Sequence, residues 1–428
     1  MQDFEVHGEW WLPGEDHHKV PGTLRHDENG TLLTLLGTLR PEVDIITSDD
    51  DVTYPRLHGY AGGRPFTLED CFQKQMSTQG SFTSGTVFVN QVFKNFHFNK
   101  DEEIQAEGIT FMPRYLNYWV NQYGISLTRR PPNSENLNPE GPYITLQGRE
   151  IPPQSIPLFD GSLELRHRLL LSGDGISSRK IKQRFYFRYQ APKLVPAEEL
   201  LHIASYVQDL VSIGTNRIAQ HEGVTFLHPA ARHSGPKSPQ LPIEFFARWH
   251  AWRSEPRKPP ATSLFDLADM GGMTGVAEWV KTSSRHRLAL ARVMGSRYMK
   301  SMPLSDRILN AAAALESFDR LKHRDIIEFR SRMARCANFA GAEFTRMIGR
   351  DRAKWAKLVK EARNEVAHNL GASSETTTQL FLHESLHWLF ILCLLKDSKA
   401  PAEVFRSIAR NSEFDWLCQK VRSVVTTA

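Results

Sequence analysis

Arg363, Asn364 and His368, in the stretch LVKEARNEVAHNLGASS, are the residues whose types and spacing could act on a phosphodiester. A histidine near neutral pKa can take up or deliver a proton. A guanidinium can hold a phosphate through two parallel hydrogen bonds. Just ahead, Trp355, Leu358, Val359, Ala362 and Val366 recur at helical spacing, which predicts an amphipathic helix with one buried stripe. Gly371 reads as its stop, and Ser373 or Ser374 as the cap of the next helix. At about 100° per residue, Asn364 and His368 share a strip turned away from that stripe, and Arg363 lies at its edge. Arg363 and His368 stand about 140° apart on the wheel, so one helix converges them poorly. A second copy across a two-fold axis would serve better. The plainer reading of this spacing alone is a solvated helix end, because an Arg and a His five apart arise often by chance.

The flanking pattern says more. R-N-x-x-x-H at a helix end, followed by a glycine-containing turn and a long apolar helix, resembles the ribonuclease motif of HEPN domains. The earlier ILNAAAALESFDR resembles the first HEPN helix, with its acidic residue at Glu316. The N-terminal GEWWLPGEDHHKVPGTLRHDENGTLLTLLGTL resembles the N-terminal domain of ApeA-type anti-phage proteins. The resemblance covers most of the chain, with the parts in the same order.

It implies a metal-independent, cofactor-free endoribonuclease of abortive infection. The RNA 2′-OH would attack its neighbouring phosphate and leave a cyclic phosphate end. His368 would be general base or acid, and Arg363 would stabilise the phosphate charge. Asn364 would position the phosphate or His368, and Glu316 would orient Arg363. The resemblance also implies a homodimer through the helical domain, an RNA substrate of which tRNA is a natural example, and a sensory N-terminal domain answering a phage-derived trigger. Two other classes fit the same residues. One is a non-catalytic HEPN-like module for dimerisation, nucleotide binding or toxin neutralisation, with a ligand-sensing β-domain. The other is a carbohydrate- or ligand-binding β-domain fused to a regulatory bundle. For Glu316 itself, the wheel gives a place at the margin of the core stripe, where an exposed glutamate is the plainer reading.

At 428 residues the chain predicts two or three domains, and 40% hydrophobic content is ample for packed cores. The net charge of +5 is concentrated late. Residues 301–428 carry 20 Lys and Arg against 15 Asp and Glu, and 320–360 carry 12 against 4. Such a field suits a polyanion, and a solvated helical surface is the bland alternative. Cys71, Cys336, Cys393 and Cys418 have no paired spacing, which argues for reduced thiols in a cytoplasmic protein. The start MQDFEVHGEW shows no signal region, and the apolar run from Trp388 to Leu395 is too short to span a bilayer, so no membrane partner is expected.

The elements predict an α+β chain. Residues 1–260 read as a β-rich domain, a sandwich or partly open barrel, from runs such as TLLTLLGTL, GTVFVNQVF and KIKQRFYFRYQ separated by turn signals at Asp27 to Gly30 and Gly59 to Gly63. Segment 129–158 reads as a long loop or excursion, and 232–242 as a loop. Pro196 with Glu198 and Glu199 opens a helix, after which VTFLHP and IEFFARWHAW read as strands returning to the sheet. Residues 261–302 form a helical connector and 303–428 an all-α bundle. In the bundle, a first helix capped by Ser305 carries Ile308, Ala312, Leu315 and Phe318, and a second runs over roughly 325–348. The helix at 375–396 is apolar nearly all round and should be central.

His383 and His387, four apart with Glu384 between them, could bind zinc. Lacking a third ligand, they read as polar core residues, with the motif helix as a candidate partner. His7, Trp10 and Trp11 could form a binding patch, but such a cluster more often anchors an early strand in a core. Arg114, Tyr115 and Trp119 fit a ligand-facing group and a packing group equally. His17 and His18 read as a polar turn.

Overall fold

The computed structural model describes residues 3–40, 52–79, 82–130, 143–232, 238–247, 260, 262–368 and 376–427. Six antiparallel strands open the chain: β1 (Phe4–Trp11), β2 (Val20–Asp27), β3 (Gly30–Leu35), β4 (Thr53–Ala61), β5 (Arg64–Gln79) and β6 (Phe82–Lys94). They lie in the order β6-β3-β2-β1-β4-β5, and β5 pairs back onto β6, so the barrel is closed rather than partly open. Alternation along each strand points Leu24, Leu33, Leu57, Phe66, Leu68, Val87 and Val89 inward, all fully buried. Trp10 fills the same interior and Trp11 is buried too, so the two tryptophans pack, whereas His7 is exposed and bonds Thr23 Oγ1 at 2.8 Å. Gly59 is required beneath Trp10, where a Cβ would lie 2.1 Å from an indole carbon.

Strand β6 belongs to two structures. Beyond its pairing with β3 it pairs with β14 (Ile243–Ala247), matching Lys94 to Glu244. From β14 the sheet continues through β13 (His221–Leu227), β7 (Gln105–Pro113), β12 (Lys180–Pro196), β11 (Gly161–Ser172) and β10 (Gln154–Leu158). The strands after residue 220 do return to the N-terminal sheet. Segment 129–158 is in part an excursion from the main sheet, and its residues 131–142 lie outside the described residues. β8 (Ile125–Arg130) and β9 (Tyr143–Gly148) form a separate hairpin-like pair, and β10 follows. Its strands are short and largely exposed, with Ile144 and Leu146 facing solvent, so their alternation is lost among the prolines and asparagines. Of segment 232–242, Arg232 and Gln240 form an isolated bridge, and 233–237 lie outside the described residues.

The short helix α1 (Leu116–Val120) buries Trp119, with Tyr115 before it, and Arg114 faces Glu222 at 3.7 Å, so this group packs the sheet. Helix α2 (Ala197–Thr215) covers the same sheet. It starts behind Pro196 with Glu198 and Glu199 in its first turn, favourable to the helix dipole. Helices α3 (Gly272–Arg285) and α4 (Arg287–Tyr298) pack on it, and the Trp279 indole donates to the Tyr206 carbonyl at 2.8 Å.

Between α2 and α4, the Tyr298 hydroxyl donates to buried Asp209, and Ser212 lies 3.2 Å away. Burial raises the Asp209 carboxyl to about 7. Because the folded value exceeds the unfolded one, the stabilisation it gives is complete below about pH 4 and is lost as pH rises toward 7. The slope should be on the order of 1 kcal/mol per pH unit. Denaturation midpoints across that range should therefore fall more steeply for the wild type than for Asp209→Asn, and parallel curves would refute the assignment.

The bundle comprises α5 (Leu304–Lys322), α6 (Phe329–Ala340), α7 (Ala342–Ile348), α8 (Arg352–His368), α9 (Thr376–Asp397), α10 (Ala402–Arg410) and α11 (Ser412–Thr427). Helix α5 begins at Leu304 behind Pro303, whose fixed φ starts the turn without a cap from Ser305. Its Ile308, Ala312, Leu315 and Phe318 are buried as their spacing requires. The expected single helix over 325–348 is two, α6 and α7. Gly341 breaks it at φ +83, a left-handed conformation that glycine adopts without strain. Helix α9 is central. Its Thr377–Asp397 portion is long and apolar enough to cross a membrane, but that stretch is 72% buried inside the fold, as a bundle core should be. All four cysteines are free and buried.

Candidate active site at the end of the motif helix

Helix α8 is fixed by its buried stripe. Trp355, Ala356, Val359 and Ala362 are buried, and Leu358 is packed partly against the same core. The Trp355 indole donates to Ser385 Oγ on α9 at 2.9 Å, and its ring meets Phe344 of α7 edge-on at 5.0 Å. These contacts set the rotation of α8 and bring Arg363 out at the edge of the stripe.

Arg363 is 37% exposed, and two groups hold it. Its Nη2 lies 3.5 Å from Glu316 Oε2 on α5, and its Cζ sits 4.7 Å above the Phe329 ring at the start of α6. The ring face and the carboxylate both favour a cation and together limit its rotamers. Glu316 is 19% exposed, so the plainer reading of a free surface glutamate gives way to a partner for Arg363. Asn364 is exposed on the next position. His368 ends the helix, but side chains 366–376 and residues 369–375 lie outside the described residues. That covers the His368 imidazole, Val366, Gly371 and the serine cap.

Sequence reasoning missed Phe329. The available signal was an aromatic residue opening a helix in an otherwise basic stretch. It also missed the clamp beneath it. Asp319, one turn after Glu316 on α5, is 2% exposed and accepts from Arg332 Nη1 at 2.8 Å and from Arg335. Arg335 also reaches Asp325, holding that carboxyl below its ordinary value. Part of the basic excess over 320–360 is thus spent inside the fold, tying α6 to α5 and setting Phe329 against Arg363.

Residues 5–272 match the family described as ApeA N-terminal domain 1, and residues 304–404 match Apea-like HEPN. The chain belongs to the ApeA-like family. The HEPN match runs from the first residue of α5 into α10 and contains Glu316, Arg363, Asn364 and His368. An ApeA-like chain with a C-terminal HEPN domain is a nuclease-type anti-phage defence protein, and HEPN domains generally carry ribonuclease activity, bind RNA and dimerise. Comparison with curated proteins and with solved structures finds no match.

Elsewhere in this ApeA-like chain, His383 and His387 are buried on α9. Burial pushes both imidazoles below their ordinary value. Burial works to raise the Glu384 carboxyl between them, but Arg297 of α4 and the two histidines together hold it below its ordinary value. Arg297 also reaches His387 Nε2 at 3.4 Å, so among the described residues the partner of this polar cluster is α4. Among the described residues, no group of three or more His, Cys, Asp and Glu is placed to hold a metal ion.

Proposed function

We propose that the protein is a metal-independent endoribonuclease of anti-phage defence that cuts RNA through its own 2′-OH. The observation that carries this reading is Arg363, a partly exposed guanidinium braced by Glu316 and Phe329 with Asn364 beside it. Arg363 binds the scissile phosphate and offsets its developing negative charge. His368 takes the 2′-OH proton or delivers one to the leaving 5′ oxygen. Asn364 positions the phosphate or the imidazole. Products are a 2′,3′-cyclic phosphate and a 5′-OH, and DNA is spared because it lacks the nucleophile. Two copies of α8 meet in a homodimer, which supplies the convergence that one helix lacks. Residues 1–260 act as the sensory part, 261–302 as the connector and 303–428 as the nuclease. A phage-derived component triggers cleavage of RNA, tRNA among the targets, in the cytoplasm.

The deciding assay incubates wild type and His368→Ala with total RNA in EDTA and maps the ends, with and without lysate from infected cells. Cyclic phosphate ends made by wild type alone are the expected result. Equal cutting by both proteins, or none under either condition, would reject the mechanism. Glu316→Gln provides a graded companion. Its amide keeps the shape and loses the charge that braces Arg363, so cleavage should fall roughly tenfold, the scale of one weakened charge-assisted contact of about 1.4 kcal/mol. A rate equal to wild type would remove Glu316 from the site.

A further inference from the structure

The other end of the motif helix opens onto a cleft of about 1000 Å³ between the α7–α8 turn and α11. Five cations line it, Arg346, Arg350, Arg352, Lys354 and Arg422, with a single carboxylate, Asp351. The floor is apolar, from Ile348 and Val425. The way these cations are held matters most. Arg346 pairs with Asp415. Arg352 instead donates to Asn338 and to Thr345 Oγ1, Lys354 to the Thr426 carbonyl at 3.0 Å, and Arg422 to the Arg346 carbonyl. The Arg350 side chain is exposed and makes no hydrogen bond or ion pair among the described residues. Asp351 spends one oxygen on the Lys354 backbone N–H at 2.8 Å. Neutral acceptors therefore fix the directions of three cations without cancelling their charge. A cleft that needed charge only for its own stability would pair it with carboxylates, as α5 and α6 do at Asp319.

We propose that this cleft grips the sugar-phosphate backbone of the RNA substrate away from the bond that is cut. The proposal rests on the nuclease reading for the identity of the polyanion. Geometry links the two places. Arg352 and Arg363 are eleven residues apart, close to three full turns, so they leave α8 on the same side. They stand about 16 Å apart along the axis, a span that a short single-stranded segment covers. A chain with its scissile phosphate at Arg363 thus reaches the cleft within a few nucleotides. Fixed cations facing a flexible polyanion raise affinity through counterion release and confer no base preference.

The experiment measures binding of a single-stranded RNA of about 20 nucleotides to the full chain at graded salt, with Arg350→Gln and Lys354→Gln combined. Two lost phosphate contacts should lower the slope of log affinity against log salt by about 1.4 and weaken low-salt binding roughly tenfold. Unchanged affinity and slope overturn the proposal. So does a variant that loses binding to polyglutamate while RNA binding holds, since the cleft would then serve an acidic protein. Because binding is read without turnover, the two readings separate. Cleavage with an unchanged salt slope removes only the cleft. A cation-dependent slope without cleavage removes only the nuclease.

Discussion

Replacing Arg363 with alanine should lower RNA cleavage by about a hundredfold to a thousandfold, the usual effect of deleting one preorganised donor to a developing charge. The fold should survive. Arg363 is more than a third exposed, and its contacts with Glu316 and Phe329 are at the rim of the bundle, where one ion pair adds little to stability. Arg363→Lys is the sharper test. It keeps the charge but not the planar fork, so it should recover only a small part of the rate. Single-turnover cleavage rates and melting curves on the three proteins read both effects. Full activity in Arg363→Lys would mean that a point charge suffices and that bidentate phosphate binding is wrong.

The largest effect on stability is expected at Asp319. Replacing it with alanine leaves Arg332, itself 4% exposed, without its counter-ion inside the bundle. Removing one partner of a buried pair costs about 3–5 kcal/mol, because the remaining charge keeps its desolvation penalty. Chemical denaturation should show a drop of that order. Asp325→Ala, which removes only the exposed partner of Arg335, should change stability little. Converting both members, Asp319→Leu with Arg332→Met, should recover most of the loss, since an apolar pair of similar volume carries no such penalty. If the double variant were as unstable as Asp319→Ala, the cost would lie in packing and the ionic account would fail. The clamp also sets Phe329 under Arg363, so cleavage should fall in Asp319→Ala at temperatures where the protein remains folded.

What could be read in the sequence tracks how local the causes are. The stripe of α8 was legible because Trp355, Val359 and Ala362 are spaced by the helix itself. The apolar character of α9 gave its central place. Barrel closure was not legible. It depends on β5 and β6 pairing with each other while β6 also pairs with β3 and, some 150 residues later, with β14. Periodicity marks a strand and says nothing of its neighbours. The split at Gly341 was hidden because a glycine inside a helical pattern can be tolerated or can break it, and only its φ decides. The basic stretch over 320–360 was visible as charge, but not its division. Arg332 and Arg335 are committed to Asp319, while Arg350, Arg352 and Lys354 face the cleft. Type and spacing do not distinguish a cation that closes a core from one that waits for a ligand.

The closed barrel also has a consequence in time. All six of its strands come from residues 4–94, and every hydrogen-bonded seam that closes it is made among them. On a ribosome adding about 5–20 residues each second, this unit can fold tens of seconds before the helix bearing Arg363 has been made. The helical half therefore emerges beside a finished surface. A nascent chain interrupted before its last quarter would leave a folded barrel with no motif helix, so the cell meets the N-terminal half of this protein first.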